Sequence, residues 1–223
     1  MKVNILMPFL FYLIFANSFA QQITIKNIES RLVTHQGIEF IGELKNVSNE
    51  KYSYSNWSNQ GVLFLNRKAY YLSNINFNVT TNAFESRVNK NQLFSFKNSL
   101  LDSVSVNNHL YKKIDDYFYE VLFENGNNLL LKKSEIAYQP GIENRLVGTV
   151  GKSNVLVIFK YLVKFNDEVT QIELNKSSIL SLVENDFKKV LEGFIDKENL
   201  SYKSENDIVK ILEFMFKNSS KMI

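Results

Sequence analysis

The sequence predicts an α+β fold, mainly antiparallel β, in which a β-meander or curled sheet is followed by a C-terminal helical pair. Between residues 61 and 174, short aromatic and β-branched runs recur between breaks rich in Asn or Asp. That pattern is typical of successive short strands. After residue 174 the spacing of apolar residues changes from two to about 3.6, which is the period of an amphipathic helix.

The predicted strands of the meander are residues 62–65, 70–79, 93–96, 104–106, 117–123 and 129–132. Upstream, residues 23–25 and 38–44 alternate in the manner of one or two further strands. The second of these puts Phe40 on the face opposite Ile41. Asn46 and the three residues after it have the composition of a turn.

A hairpin is the clearest single prediction. Residues 117–123 and 129–135 flank Asn125-Gly126, a dipeptide that tolerates the positive φ values of tight hairpin turns. We therefore expect these two runs to pair antiparallel across an Asn125-Gly126 turn.

A later strand is predicted over residues 155–165, because its side chains separate by a period of two. The odd-numbered face is entirely apolar and consists of Val155, Val157, Phe159, Tyr161, Val163 and Phe165. The opposite face includes Lys160 and Lys164. The odd-numbered face is therefore expected to belong to a core.

The helical segment contains two apolar stripes. The first consists of Ile179, Leu180, Leu182, Val183, Phe187, Val190, Leu191, Phe194 and Ile195, and the second of Ile208, Val209, Ile211, Leu212 and Met215. The first stripe fits one helix or two in tandem with a jog at residues 184–186. Ser177 or Ser178 is the expected cap of its first turn, Asn185 of a second segment, and Ser204 of the last helix. Such wide stripes are expected to pack within their own chain.

The first 20 residues have the pattern of a signal peptide. Lys2 precedes an apolar run over residues 3–15, and Ser18 and Ala20 are small residues at the positions a signal peptidase prefers. The run is shorter than the roughly 20 apolar residues that cross a bilayer. We expect cleavage after Ala20, a β-rich domain over residues 21–174, and a helical segment over residues 175–223 packed on it. The mature chain is expected to have no transmembrane segment.

Composition limits the classes of function. The chain has no cysteine, which excludes a lipoprotein anchor, a thiol nucleophile and a thiolate metal site. Its net charge is +3, with basic and acidic residues interleaved, so nucleic acid is not an expected partner. About 200 mature residues bury enough surface to fold without disulfides.

His35 and His109 are the only imidazoles, and His109 precedes Asp115 and Asp116 closely in sequence. One interpretation is a general base or metal ligand that one of these carboxylates orients. The favoured interpretation is a loop histidine beside a polar turn, because no H-x-x-x-H or H-x-H spacing supplies a second ligand.

Other catalytic patterns are missing or incomplete. A G-x-S-x-G elbow does not occur. Gly151-Lys152-Ser153 lacks the preceding glycine of a phosphate loop and is interpreted as a turn before the residue 155 strand. Glu120 and Glu124 lie close to Asp115 and Asp116 in sequence, which is typical of a solvated hairpin rim. The sequence therefore predicts no catalytic residue, no metal site and no cofactor.

The run GVLFLN at residues 61–66, the hairpin over residues 117–133 and the closing helical pair resemble small exported proteins of unknown function from Asn- and Lys-rich Gram-negative bacteria. The resemblance implies an exported protein with a signal peptide, a β-meander and a C-terminal helical pair, and no active site.

Three functions remain open. The first is an exported non-enzymatic binding or interaction protein, periplasmic or extracellular, whose partner is an envelope or extracellular protein or ligand. The second is a carrier that holds an apolar small ligand in a β cavity. The third is an envelope hydrolase, which ranks last because no catalytic constellation can be assembled.

Overall fold

A computed structural model describes residues 22–23, 31–33, 39–141, 143–144, 149–150 and 153–218. The predicted signal peptide, His35 and the Gly151-Lys152 part of the predicted turn lie outside the described residues. Within them the fold is mainly antiparallel β with three helices, the last two at the C-terminal end. The predicted α+β class with a C-terminal helical pair is confirmed.

The elements in chain order are as follows. The strands are β1 (Gln22–Ile23), β2 (Arg31–Val33), β3 (Glu39–Asn46), β4 (Gln60–Leu65), β5 (Lys68–Ser73), β6 (Ile75–Asn78), β7 (Ala83–Arg87), β8 (Gln92–Phe96), β9 (Ser103–Val106), β10 (His109–Ile114), β11 (Tyr117–Asn125), β12 (Asn128–Gln139), β13 (Glu143–Asn144), β14 (Thr149–Val150), β15 (Asn154–Phe165) and β16 (Glu168–Ile172). The helices are α1 (Lys176–Leu180), α2 (Asn185–Lys197) and α3 (Glu205–Lys217).

The strands form one large and one small sheet. The large sheet has the order β1-β5-β4-β9-β10-β11-β12-β15-β16, and the small sheet has the order β2-β3-β8-β7-β6. Pairing is antiparallel throughout both sheets except between β1 and β5. Strands β13 and β14 pair with each other. A division into two sheets was not predicted.

Asn and Asp residues make the tight turns of the large sheet. The two-residue turns Asn66-Arg67, Asn107-Asn108, Asp115-Asp116 and Asn166-Asp167 have φ between 47° and 70° at both positions. This is the type I′ geometry, whose twist matches that of the flanking strands. Asn and Asp adopt it at low cost because their short polar side chains tolerate the left-handed region.

The predicted hairpin is confirmed between residues 120–125 and 128–132, with its turn one residue later than expected, whereas the predicted pairing of residues 117–119 with residues 133–135 is wrong. β11 pairs antiparallel with β12, and Asn125 pairs with Asn128, so the turn residues are Gly126 and Asn127. Gly126 has a φ of +62°. The first turn position of a type II′ hairpin favours glycine for this reason.

The predicted strand over residues 70–79 is two strands in different sheets. Asn74 has a φ of 58°, which ends β5 and redirects the chain into β6 of the small sheet. The sequence also did not predict β7 and β10. The predicted faces around Phe40 are correct, since Phe40 is buried and Ile41 is exposed.

The small sheet covers one half of the inner face of the large sheet, which we define as the face that carries Val104, Tyr111 and Val163. The first core lies between the two sheets and contains Phe40, Leu63, Leu65, Tyr70, Leu72, Ile75, Phe77, Val79, Phe84, Phe94, Phe96, Leu101, Val104, Val106, Tyr111 and Phe118. Its centre is aromatic, because Phe84 contacts the rings of Phe77, Tyr111 and Phe118 with centroids 4.9–5.2 Å apart.

The helices cover the other half of the same face. The second core contains Leu130, Val163 and Ile172 of the sheet together with Ile179, Leu182, Val183, Phe187, Leu191, Ile195, Ile208, Ile211, Leu212, Met215 and Phe216 of the helical segment. Val190 is the exception in the predicted stripe, since it is 53% exposed. The first predicted stripe is divided between α1 and α2, as in the second of the two alternatives, and the break lies at residues 181–184 rather than at residues 184–186.

Two of the predicted helix caps are wrong. Asn175, rather than Ser177 or Ser178, caps α1 by accepting a hydrogen bond from the Ser178 amide. Asn185 is the first residue of α2 and not its cap. Ser204 caps α3 as predicted and accepts from the Asp207 amide.

Replacing Arg67 with glycine is expected to stabilise the protein by up to about 1 kcal/mol. Arg67 has a φ of 63°, where a residue with a Cβ is strained by roughly 1–2 kcal/mol, a cost that exceeds the entropy lost by glycine. Urea denaturation measures the change. Asn127→Gly is the control, because Asn127 is outside the left-handed region and gains nothing. A less stable Arg67→Gly protein would contradict the strain argument.

Candidate functional site

A polar row separates the two cores on the inner face. Tyr111 lies opposite Glu120, Glu120 opposite Lys132, and Lys132 opposite Tyr161. Directly paired residues share a face of a sheet, so these side chains point to the side covered by the small sheet and the helices. We call His109, Glu120, Lys132, Tyr161 and Glu205 the polar row.

The side chains of the polar row form a continuous chain of contacts. The His109 Nδ1 lies 2.6 Å from the Glu120 Oε1. The Lys132 Nζ lies 3.8 Å from the other Glu120 oxygen and 2.9 Å from the Glu205 Oε1. The Tyr161 hydroxyl donates to Glu205 at 2.5 Å. The row therefore joins the sheet to the first residue of α3.

His109 does not lie where either interpretation put it. It is the first residue of β10 and not a loop residue, while Asp115 and Asp116 form the turn after the opposite end of that strand. Six residues of strand span about 20 Å, so neither aspartate orients the imidazole. Glu120 does, through a cross-strand pairing that only the register of β10 with β11 reveals.

The chemical capacity of the His109–Glu120 pair is proton transfer. A carboxylate that holds one ring nitrogen of a histidine leaves the other nitrogen available as a base or ligand. His109 is half exposed, whereas Glu120 is largely covered. The structure thus brings together an imidazole and two carboxylates, Glu120 and Glu205, that the sequence did not connect.

Glu205 responds to acid because its contacts favour the ionised form. Burial alone would raise the pKa of this carboxyl, but hydrogen bonds from Tyr161 and Lys132 outweigh burial and lower it. A lowered folded-state pKa adds stability that is present above the unfolded value and lost as the pH falls through the folded value. The contact between α3 and the sheet is therefore expected to weaken in acid.

Glu205→Gln is expected to reduce the acid sensitivity of folding. The unfolded carboxyl titrates near pH 4.3, so the loss of stability between about pH 7 and pH 3 should be smaller in the variant. Urea denaturation across this range measures it. Tyr161→Phe removes one of the two hydrogen bonds and should give an intermediate slope. An identical slope in wild type and Glu205→Gln would contradict the assignment.

A two-stranded arm extends from the sheet beside the polar row. β12 and β15 pair along their whole length, but β11 pairs with β12 only as far as Lys132 and β16 pairs with β15 only from Tyr161 onward. We call residues 133–139 and 154–160 the arm. Within the described part of the chain, neither strand of the arm has a further partner. Beyond the arm, β13 pairs with β14 in the same register as β12 with β15.

The arm exposes large apolar side chains on both faces. On the inner face Tyr138 is 76% and Phe159 48% exposed, and on the outer face Leu156 is 45% and Ile158 38% exposed. Ile136 and Val157 of the arm pack against the first core. The prediction that the whole odd-numbered face of residues 155–165 belongs to a core is therefore wrong at Phe159.

Charged contacts hold the base of the arm. The Lys132 Nζ lies 4.3 Å from the centroid of the Phe159 ring, and the Lys133 Nζ lies 4.2 Å from that of Tyr117. Glu135 pairs with Lys133 at 2.8 Å and Lys160 at 2.6 Å. Hydrogen bonds from these two lysines lower the pKa of the Glu135 carboxyl. The base of the arm is thereby fixed in position.

A second ionic cluster lies under the small sheet. Glu85 is fully buried and contacts the Lys45 Nζ at 2.5 Å. Glu85 also accepts hydrogen bonds from Tyr52 and Asn78 at 2.9 Å. Burial lowers the pKa of Lys45, but hydrogen bonds with Glu85 and Glu50 outweigh it and raise that pKa. Because each partner is satisfied, this cluster fastens the loop that contains Tyr52 to the sheet.

A groove between α2 and α3 has a volume of about 290 Å³ and an apolar floor of Phe194, Leu200 and Phe214. Phe194 and Phe214 stack with centroids 4.1 Å apart. This volume is at the lower limit of small-molecule sites.

Over the described residues, no group of three or more His, Asp or Glu side chains is arranged to hold a metal ion. No helix in the same residues has the length and apolar character to span a membrane. The chain matches no family of proteins, no curated protein and no solved structure.

Proposed function

We propose that this chain is an exported, non-enzymatic interaction protein that binds an envelope or extracellular partner through its arm. The observation that carries the proposal is the exposure of Tyr138, Leu156, Ile158 and Phe159 on one two-stranded ribbon. A surface ribbon that exposes several large apolar side chains is a candidate for an interaction site.

The open edges and the residue types of the arm support the proposal. Natural proteins protect free strand edges with charges, Pro or bulges, because an unprotected edge pairs with other chains. Residues 154–159 carry no charge along such an edge. Tyr138 is of a residue type that is enriched in binding hot spots, and Tyr138 and Phe159 lie on the same face as Glu120 and Lys132.

Export rests on residues 1–20. Their apolar run and the small residues at Ser18 and Ala20 support cleavage before Gln21. N-terminal sequencing of protein from the envelope fraction should begin at Gln21 or give a terminus blocked by its cyclisation. Recovery of intact Met1 from the soluble envelope fraction would contradict export by this route.

Capture from envelope extract tests the interaction. The mature chain should retain a partner that a Tyr138→Ser, Leu156→Ser, Ile158→Ser triple variant does not. Val190→Ser is the control, because the 53% exposure of Val190 lies within the range of the three arm residues but Val190 is on α2. Equal melting temperatures for all three proteins ensure that only the surface has changed. Equal capture by the wild type and the arm variant would exclude the arm as the binding surface.

An envelope hydrolase is the second candidate, and the contact between His109 and Glu120 at 2.6 Å favours it. Hydrolysis of ester, amide or glycoside substrates that disappears in both His109→Gln and Glu120→Gln would support this candidate. The apolar-ligand carrier ranks lower, because the rings of Phe77, Phe84 and Phe118 occupy the centre of the first core.

A further inference from the structure

The tip of the β11–β12 hairpin combines a free asparagine side chain with an unhindered glycine. Asn125 and Gly126 are exposed, and the space where a Cβ of Gly126 would lie is empty to 4 Å. The last pair of the ladder is Asn125 with Asn128, so the Gly126 amide lies outside it. In the described part of the chain, the Asn125 side chain makes no hydrogen bond.

We propose that Asn125 is a site of spontaneous deamidation. The peptide nitrogen of Gly126 loses its proton and attacks the side-chain Cγ of Asn125, which forms a C–N bond and closes a succinimide ring. The C–N bond to the side-chain amide breaks, and ammonia leaves. Water then hydrolyses one of the two ring carbonyls and gives either aspartate or isoaspartate. The net change consumes one water and releases one ammonia, with no oxidant or cofactor.

Other asparagines in small turns lack one of the two requirements. Asn98 precedes a serine, but its side-chain nitrogen donates to the Asn82 carbonyl at 2.7 Å. The side chain of Asn107 donates to Asn59 and accepts from the Gln60 amide, and a second asparagine follows it. Only Asn125 is followed by glycine, the residue that opposes ring closure least because it has no Cβ.

Either product changes the hairpin. Isoaspartate adds a methylene to the main chain beside the closing Asn125–Asn128 pair, which disturbs the register next to the buried Leu129 and Leu130. Aspartate adds a negative charge beside Glu124, whose carboxylate pairs with Lys112 at 2.5 Å. The isoaspartate form is therefore expected to melt at a lower temperature than the unmodified protein.

Peptide mapping of the mature protein, aged in mildly alkaline buffer, tests the proposal. Aspartate and isoaspartate should accumulate at Asn125 before any product appears at Asn98 or Asn107. Gly126→Ala should slow the reaction several-fold. Because that variant is strained at a φ of +62°, Asn125→Gln provides a second test that leaves the turn intact, and it should give no product at position 125. Product first at Asn98 or Asn107, or an unchanged rate in Gly126→Ala, would overturn the proposal.

Discussion

Replacing Phe84 with alanine is expected to destabilise the protein by about 3–5 kcal/mol, a large fraction of the stability of a typical domain. Phe84 is fully buried. Its ring meets those of Phe77, Tyr111 and Phe118. The alanine variant removes this apolar area and leaves a cavity between the two sheets that their paired strands cannot close.

Urea denaturation followed by Trp57 fluorescence measures the effect of Phe84→Ala. Trp57 is the only tryptophan and contacts Tyr52 and Arg87 beside the small sheet, so its emission reports on the unfolding of that sheet. Tyr138→Ala is the control, since a residue 76% exposed should change stability by no more than about 0.5 kcal/mol. A Phe84→Ala protein as stable as this control would mean that the rings do not form the core.

Phe187→Ala is expected to cost a similar 3–5 kcal/mol, because Phe187 is buried in the second core and stacks with Phe214 at 5.9 Å. The melting temperature should fall by roughly 10 °C, and the variant should accumulate poorly in cells. Thermal unfolding followed by far-ultraviolet circular dichroism measures the change.

Val190→Ala is the matched control for Phe187→Ala, because it lies on the same helix and is exposed. Its stability should stay within about 0.5 kcal/mol of the wild type. If Phe187→Ala left the melting temperature unchanged while abolishing capture of a partner, the helices would be a detachable recognition element and not a structural layer.

Local periodicity predicted the elements in which one face is buried along most of the length. The period of two over residues 155–165 identified β15, and the 3.6 period identified the helices together with the buried positions Phe187, Leu191 and Ile211. Periodicity did not predict that Phe159 would be exposed. Its exposure depends on where the helical layer ends over the inner face, since Tyr161 and Phe165 pack against the second core and Phe159 does not. That is a property of the assembled layers and not of the strand.

The contacts of the candidate site depend on register, which a single sequence does not specify. Proximity along the chain linked His109 to Asp115 and Asp116, but strand β10 holds them at opposite ends. The actual partner of His109 is Glu120, which is eleven residues away in the sequence. Glu120 in turn contacts Lys132, and Lys132 contacts Glu205. These residues meet only when the strands and α3 are assembled. Likewise, nothing local distinguishes Asn74, which redirects the chain between sheets, from the many asparagines that end hairpins.

Hydrogen exchange on the captured complex tests most directly the claim that the arm is the binding surface. Amides of residues 133–139 and 154–160 should exchange more slowly in the complex than in the free chain, because their open edges and exposed side chains become covered. Amides of α2 and α3 should exchange at the same rate in both. Slower exchange in the helices together with an unchanged exchange rate in the arm would contradict this claim. The helical pair would then be the binding surface.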